Sequence, residues 1–272
     1  MSRPLPFVGS TAPWSGGQTT PHARCLLAPN PSMMTLDGTN TWLVGDAGRG
    51  EFLIIDPGPL GGGHGRAIEQ ALADRDGAAV GILLTHGHLD HSEGAAQLAS
   101  RLRCPVRALD PRHRLGDEGL QDGDVLTAGD VEVRVIGTPG HTSDSLTFLL
   151  PEDGALLTGD TVLGRGSTVI AHPDGHLGSY LRSLQRLQMV AQETQVRWVL
   201  PGHGPAVSDP ECLLDAYLEH RRGRLEQVRQ ALRDGADTAA HIVQIVYADV
   251  PRILWPAAEL AVEAQLLYLA HE

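Results

Sequence analysis

Lysine is absent from this chain of 272 residues, whose 21 basic residues are all arginines. This absence excludes a catalytic lysine that forms a Schiff base and the lysine of a phosphate-binding P-loop. The three cysteines, Cys25, Cys104 and Cys212, are widely spaced and form no CxxC pair. They therefore supply neither a disulfide framework nor a zinc ribbon, and we interpret them as small apolar residues of the core.

Long apolar runs are also missing. No stretch of 18 or more apolar residues is available to span a bilayer, and the first residues lack the apolar segment of a secretion signal. We therefore expect a cytoplasmic protein without a membrane partner. The formal charge of -12 argues against a broad nucleic-acid surface, and an aromatic content of 4% is low for a protein that stacks on single-stranded bases.

Short apolar runs alternate with turn residues over the first two hundred residues, which predicts a layered α/β fold. The predicted strands are 41–44, 52–56, 80–85, 131–136, 145–150, 155–158 and 196–200, and the predicted helices are 66–73, 92–102 and 178–192. From Pro210 the pattern becomes helical, with a long helix to about Arg233, a short helix over 238–247 and a last helix from Pro256. We predict two domains, residues 1–208 and 209–272.

The segment THGHLDH, residues 85–91, places three imidazoles and one carboxylate within six positions, as His86, His88, Asp90 and His91. Imidazole and carboxylate are ligands that a divalent ion such as zinc prefers. The segment lies between a predicted strand and a predicted helix, where a loop can bring such side chains together. It therefore predicts a metal site.

Three further segments end a strand-like run with a candidate ligand next to glycine: His141 in TPGHT, Asp160 in TGDT and His203 in PGHGP. Strand ends with tight turns are where an α/β scaffold presents functional side chains. Seven candidate ligands suit two ions that share one bridging carboxylate and keep a position for water or substrate.

The order HxHxDH, GHT, GD and PGHG resembles the metallo-β-lactamase superfamily. The resemblance implies a four-layer αββα sandwich in which one ion takes His86, His88 and His141 and the other takes Asp90, His91 and His203, with Asp160 bridging. Zinc is the expected metal, although manganese or iron suits the same ligands. Asp56, in the segment Asp-Pro-Gly, is similar to an early motif of the family, and we expect it to hold a ligand imidazole from behind.

The chain is most similar to the β-lactamase-like protein 2 group of that family. The matching stretches include NPSMMTLDGTNT from Asn30, TPGHTSDS from Thr138, GDTVLG from Gly159 and YLEHR from Tyr217. The tail resembles the small winged-helix-like domain of the group in truncated form. The sequence ends at Glu272, directly after the last predicted helix, so we do not expect a DNA-binding wing from it.

The resemblance implies a hydrolase in which two ions activate a water molecule and the catalytic residues are Asp90 and Asp160. Because the group includes endoribonucleases, the first expected substrate is the phosphodiester of single-stranded RNA. The alternative is a thioesterase of the hydroxyacylglutathione hydrolase or acyl-carrier type, acting on a small-molecule ester or thioester. A further alternative is a metal-containing binding protein without activity, although the ligand set has no decayed position.

Several other residues near the predicted ligand loops have two interpretations. Asn40, Thr142, Ser143 and Tyr180 are candidates to line the substrate site, or else they stabilise the local structure. The helix with Arg221, Arg222, Arg224, Arg229 and Arg233 also contains Glu226 and Asp234, which is typical of a solvated amphipathic face. Its alternative role is a positive wall that guides an anionic substrate.

Overall fold

A computed structural model describes residues 12–271, so part of the sequence start, on which the expectation about a secretion signal rests, lies outside the described residues. Two β-sheets form the centre of the molecule. The first contains β1 (Gly17–Gln18), β2 (Ala23–Leu27), β3 (Asn40–Asp46), β4 (Glu51–Ile55), β5 (Ala78–Leu83) and β6 (Val106–Arg107), in that spatial order. The second contains β7 (Val125–Ala128), β8 (Val131–Gly137), β9 (Leu146–Leu150), β10 (Ala155–Gly159) and β11 (Trp198–Pro201), ordered 11-10-9-8-7.

Helices cover the outer face of each sheet, because each helix has an apolar side that packs against the strands. The first sheet carries α1 (His64–Ala73), the short α2 (Leu89–Ser92) and α3 (Ala95–Leu102), and the second carries α4 (Leu177–Glu193) and the start of α5 (Pro210–Arg233). The chain ends with α6 (Ala239–Val246) and α7 (Trp255–Leu269). Two single 3₁₀ turns, Pro111–His113 and Arg252–Leu254, complete the helical elements of residues 12–271.

The alternation of side chains along the strands decides which layer each residue enters. In β3, Trp42 packs between the two sheets, whereas Leu43 packs under α1 and α3. In β9, Phe148 faces the other sheet and Leu149 faces α4. The result is the predicted four-layer αββα sandwich.

The long helix α5 belongs to two cores. Its first half, including Leu214 and Tyr217, packs with α4 on the second sheet. Its second half, including Val228 and Ala231, packs with α6 and α7 in a separate apolar cluster. The predicted boundary at residue 208 falls just before this shared helix.

The main differences from the sequence prediction are four strands that it did not include, β1, β2, β6 and β7, and one broken helix. The edge strands β1 and β6 span two residues each, which is too short for an alternating pattern to be read. The helix predicted over 92–102 is divided at Gly94 into α2 and α3. None of the described helices is long and apolar enough to cross a membrane.

Candidate metal centre

The ligand candidates meet in one place because four loops end on the same edge of the sandwich. The loop after β5 brings His86, His88, Asp90 and His91, and the loops after β8, β10 and β11 bring His141, Asp160 and His203. Of the four groups of side chains among the described residues that could hold a metal ion, two are made entirely of these candidates. One contains His86, His88 and His141, and the other contains Asp90, His91 and His203; within each group the ligand atoms lie within 4.8 Å of one another.

In the first group, Nδ1 of His88 lies 3.0 Å from Nε2 of His86 and 3.1 Å from Nε2 of His141. In the second group, Nε2 of His91 lies 3.3 Å from Nε2 of His203. Two nitrogens bound to one tetrahedral zinc ion at about 2.0–2.1 Å lie roughly 3.4 Å apart. The observed spacing therefore fits imidazoles that share an ion.

The opposite nitrogen of four of these imidazoles is fixed by an acceptor. Nδ1 of His91 donates to Oδ2 of Asp56 at 2.8 Å, and Nδ1 of His141 donates to the carbonyl of Val169 at 2.8 Å. Nδ1 of His203 points to the carbonyl of Gly38 at 3.2 Å. Nδ1 of His86 lies 3.0 Å from the hydroxyl of Thr85, whose own proton goes to Asp56. Each of these Nε2 atoms is thus directed into the cluster, where it binds a metal in its unprotonated form.

Asp160 lies between the two groups. Its Oδ2 is 3.3 Å from Nε2 of His203 and 3.8 Å from Nε2 of His141, and its Oδ1 is 3.5 Å from Nε2 of His91. Oδ1 is buried and accepts no hydrogen bond. A buried carboxylate oxygen without a hydrogen bond is costly unless a cation binds it, so the environment of Asp160 fits a metal ligand.

The carboxylates keep their negative charge in this setting. Burial opposes ionisation of Asp160, but His203 and His91 outweigh it and hold the pKa of Asp160 well below its usual value. Burial also disfavours the protonated form of His203, yet Asp160 and Asp90 raise the pKa of His203 to about 9. The second group therefore attracts positive charge.

The imidazoles of the first group have the opposite tendency. Burial, together with His91 and His141, lowers the pKa of His86 well below its usual value. Burial lowers the pKa of His141 to about 4. Neutral imidazole is the form that binds a metal, so these two side chains are ready to do so at neutral pH.

Asp56 occupies the position behind the ligands that the sequence suggested. Besides His91, its carboxylate accepts hydrogen bonds from the backbone N–H of Thr85 at 2.8 Å and the Thr85 hydroxyl at 2.6 Å. Asp56 has a φ of 51°, a left-handed conformation that is strained for a residue other than glycine. The surrounding hydrogen bonds hold this conformation and so fix the orientation of His91.

The four candidate substrate-lining residues lie around this cluster in different environments. Asn40 is fully buried, and its amide donates to the carbonyls of Pro201 and Gly204, which flank the His203 loop. Thr142 is buried and bonds to Ser145, whereas Ser143 is exposed. Tyr180 is buried and donates to the carbonyl of Thr161. Asn40, Thr142 and Tyr180 thus support the ligand loops, and direct contact with substrate remains a prediction.

Two features of the site were not visible in the sequence pattern. Gly87 does not leave open space, because a Cβ there would lie 2.4 Å from the ring of His113, which fills that volume. Arg221 and Arg224 of α5 are not part of a solvated face, because α6 and α7 pack beside them and leave both lining a cavity. The solvated interpretation holds for Arg222, which is exposed, and for Arg233, which pairs with Glu226.

Comparison with known proteins agrees with this fold. Residues 34–203 match the metallo-beta-lactamase superfamily, and residues 238–272 match the beta-lactamase associated winged helix domain. The chain therefore belongs to the metallo-beta-lactamase superfamily and is a hydrolase of that fold.

Individual relatives cover most of the chain. An atrochrysone carboxyl ACP thioesterase of Aspergillus chevalieri is 35% identical over 92% of this chain and 82% of the relative. A beta-lactamase-like protein 2 homolog of Drosophila melanogaster is 31% identical over 91% of this chain and 87% of the relative. The crystal structure of a beta-lactamase domain protein from Burkholderia ambifaria matches with a TM-score of 0.78 and 27% identity, over 99% of this chain and 92% of that chain. The resemblance to the β-lactamase-like protein 2 group is thus confirmed.

Proposed function

We propose that this protein hydrolyses an acyl thioester with two bound zinc ions. The observation that carries the proposal is an apolar cavity of about 300 Å³ that opens at His141 and Asp160 and runs beneath the C-terminal helices. Its volume is at the lower end of the range for small-molecule sites. An apolar space beside a hydrolytic metal centre suits an acyl group whose carbonyl carbon lies at the metals.

The wall of the cavity comes from both parts of the chain. The GDTVLG segment and the loop behind His141 contribute the inner side, and α5, α6 and α7 contribute the outer side. Its apolar lining consists of Met33, Met34, Leu36, Leu163, Val169, Val250, Leu254, Ala257, Ala258 and Ala261. A larger, more open cavity of about 440 Å³ beside Arg107 and Glu118 is lined by none of the metal-ligand candidates, so it does not compete for this role.

The proposed ligand assignment follows the two groups of side chains. One ion would bind His86, His88 and His141, the other Asp90, His91 and His203, and Asp160 would bridge because its carboxylate reaches both groups. Five imidazoles favour zinc over manganese or iron in this set.

When bound, two such ions supply a water molecule of lowered pKa, from 15.7 toward about 7, and a Lewis acid for the substrate carbonyl. The residues of the protein would orient the water molecule and the substrate carbonyl. Asp90 is fixed by the Thr39 hydroxyl, which donates to Oδ2 at 3.2 Å, and by His203 at 3.2 Å. With 30% of its side chain exposed, Asp90 faces the open side of the site and is placed to orient the water or accept its proton.

Two observations favour a thioester over the phosphodiester that the sequence placed first. The relative from Aspergillus chevalieri is named a carboxyl ACP thioesterase. Among the residues that line the cavity, Tyr247 is the single Phe, Tyr or Trp, whereas single-stranded nucleic acids bind through several stacking platforms. RNA cleavage remains a prediction without a supporting observation, as does binding without activity.

The test is an assay of the zinc-loaded protein on an acyl thioester, a single-stranded RNA and a chromogenic lactam. We expect hydrolysis of the thioester, which chelation abolishes and zinc restores. Asp160→Asn is expected to lose at least about a hundredfold in kcat/KM, because it weakens the charge that holds the ions. Asp117→Asn, at an exposed position, is the matched control. Cleavage of RNA without turnover of the thioester would refute this proposal and support the endoribonuclease function that the sequence placed first.

A further inference from the structure

Arg221 is a buried cation in the wall of the 300 Å³ cavity described above. It lies on α5 with 8% of its surface exposed, and it lines the same cavity as His141 and Asp160. Arginine is seldom buried to this degree unless a partner balances its charge.

No carboxylate among the residues that the structure describes balances this charge. One terminal nitrogen of Arg221 donates to the carbonyl of Thr168 at 2.5 Å, and the guanidinium lies over the ring of Tyr180, 5.1 Å from its centre. Its Nε is buried and donates no hydrogen bond. Within residues 12–271, no carboxylate forms an ion pair with Arg221, whereas Arg165 and Arg224 of the same cavity pair with Asp37 and Asp249.

A buried charge without a counter-ion destabilises the fold, and the cost disappears when a ligand supplies the opposite charge. Guanidinium is the side chain best suited to bind a carboxylate, because its planar N–H groups match the two oxygens. A mostly apolar cavity in which one of three arginines lacks a carboxylate partner therefore fits a ligand with an apolar body and one anionic group.

The position of Arg221 places that anionic group close to the metals. Thr168, which accepts from Arg221, has its hydroxyl 3.1 Å from Nδ1 of His141. Tyr180, under the guanidinium, donates to the carbonyl of Thr161, the residue after Asp160. The guanidinium is therefore separated from the His141 and Asp160 loops by a single layer of residues.

We propose that Arg221 binds a carboxylate on the acyl part of the substrate, so that the preferred substrate is the monothioester of a short dicarboxylic acid. This inference rests on the proposed thioesterase function and specifies its substrate class. It also accounts for a cation that the hydrolysis of a plain fatty acyl thioester does not use.

Because Arg221 also supports the loop behind His141, the test needs a readout that depends on charge. The substrates are the malonyl, succinyl, glutaryl and adipyl monothioesters, each compared with the neutral acyl thioester of the same carbon number. For the wild-type protein we expect kcat/KM to favour the carboxylated partner by about tenfold or more at one chain length. Arg221→Gln is expected to abolish this ratio, and Arg221→Lys to keep part of it, because the charge remains. Arg222→Gln, one position along the same helix but exposed, is expected to keep the ratio.

Equal rates for carboxylated and neutral substrates in the wild-type protein would overturn the inference while leaving the thioesterase function intact. If a variant does not fold, the ratio of kcat/KM for carboxylated and neutral substrates in the wild-type protein tests the inference by itself. A purely structural role for Arg221 would lower turnover of both substrates together and leave their ratio unchanged, which would also overturn the inference.

A second measurement separates this inference from the proposed function. Isothermal titration of glutarate, pentanol and inorganic phosphate into the zinc-loaded protein needs no turnover. We expect glutarate to bind about tenfold more weakly to Arg221→Gln than to the wild-type and Arg222→Gln proteins. Such binding without hydrolysis of any thioester would refute the function and support the carboxylate site. Binding of phosphate that depends on Arg221, without binding of glutarate, would refute the carboxylate site.

Discussion

At the scale of single residues, the site is organised by what lies behind the ligands. An imidazole has two nitrogens, and a metal can use one only if the other carries the proton. Here a carboxylate, a hydroxyl and two backbone carbonyls accept the hydrogen bond of that nitrogen from His91, His86, His141 and His203. The orientation of each ring is therefore fixed by the protein.

Asp56→Asn tests this organisation. The amide retains one acceptor, but its NH₂ group then faces a donor from His91 or Thr85. We expect zinc affinity to fall about ten- to hundredfold, measured by competition with a chromogenic chelator. Asp74→Asn, at an exposed helix end, is the control. Unchanged affinity would show that the Asp56 carboxylate is not needed.

His64 predicts a pH dependence of stability away from the metal ligands. Burial lowers its pKa to about 4, while its ring bonds to the hydroxyl of Thr41 at 2.8 Å. The unfolded chain therefore binds this proton more readily than the folded one, and the contribution of His64 is lost as the pH falls from about 6.5 to 4. Between pH 7 and 5 the loss is about 2 kcal/mol.

Urea unfolding of the metal-free protein at pH 7 and 5 measures this contribution. The wild-type protein should lose about 2 kcal/mol more than His64→Gln over that interval. Identical pH slopes for the two proteins would show that His64 is not the titrating group.

At the scale of elements, strand ends carry the chemistry, and a glycine beside a ligand allows the loops to approach closely. Gly202, next to His203, is the case in which an added Cβ would meet the side chains of other ligand candidates. A Cβ at this position would lie 2.5 Å from Oδ1 of Asp160 and 2.8 Å from a ring carbon of His91. Neither neighbour is able to shift without leaving the cluster.

Gly202→Ala is therefore expected to bind less than one zinc ion per chain and to lose activity. Gly223→Ala is the matched control, since a Cβ at Gly223 meets nothing within 4 Å and lies within α5. That change should keep both ions and stabilise the protein by roughly 0.5–1 kcal/mol, because alanine is the better helix former. Elemental analysis and urea unfolding check both variants. Full metal content in Gly202→Ala would contradict the close approach.

The sequence predicted the elements that carry a periodic pattern, and it marked the candidate ligands by their distinctive chemical type. Five imidazoles and two carboxylates beside strand ends are visible in the sequence, as is Asp56. The acceptors Val169 and Gly38 act through backbone carbonyls, which any residue possesses, so no residue type marked them. The burial of Arg221 could not be predicted for another reason. Which of the five arginines of α5 is buried depends on how α6 and α7 pack, and the local sequence does not determine that packing.

At the scale of the whole molecule, the metal centre joins distant parts of the chain. Its seven candidate ligands extend from His86 to His203 and come together in the folded state alone. Ions that bind only this state stabilise it by about 4 kcal/mol per site at a thousandfold excess over Kd. Zinc should therefore raise the Tm by on the order of 10 °C over the chelated protein. Calorimetry checks this prediction, and zinc should raise the Tm of Asp160→Asn by less than it raises that of the wild-type protein. Equal Tm values for the wild-type protein with and without zinc would contradict the assignment.

The helix α5 has a consequence for how substrates are selected. Its 24 residues run without a break from the second sheet to the cluster of α6 and α7. At 1.5 Å per residue this is a rod of about 36 Å. A continuous helix contains no hinge, so α6 and α7 cannot move away from the second sheet to admit a bulkier substrate. If the proposed thioesterase function holds, acyl length would be measured against a wall of fixed position, and accepting larger substrates would require smaller side chains rather than a looser linker.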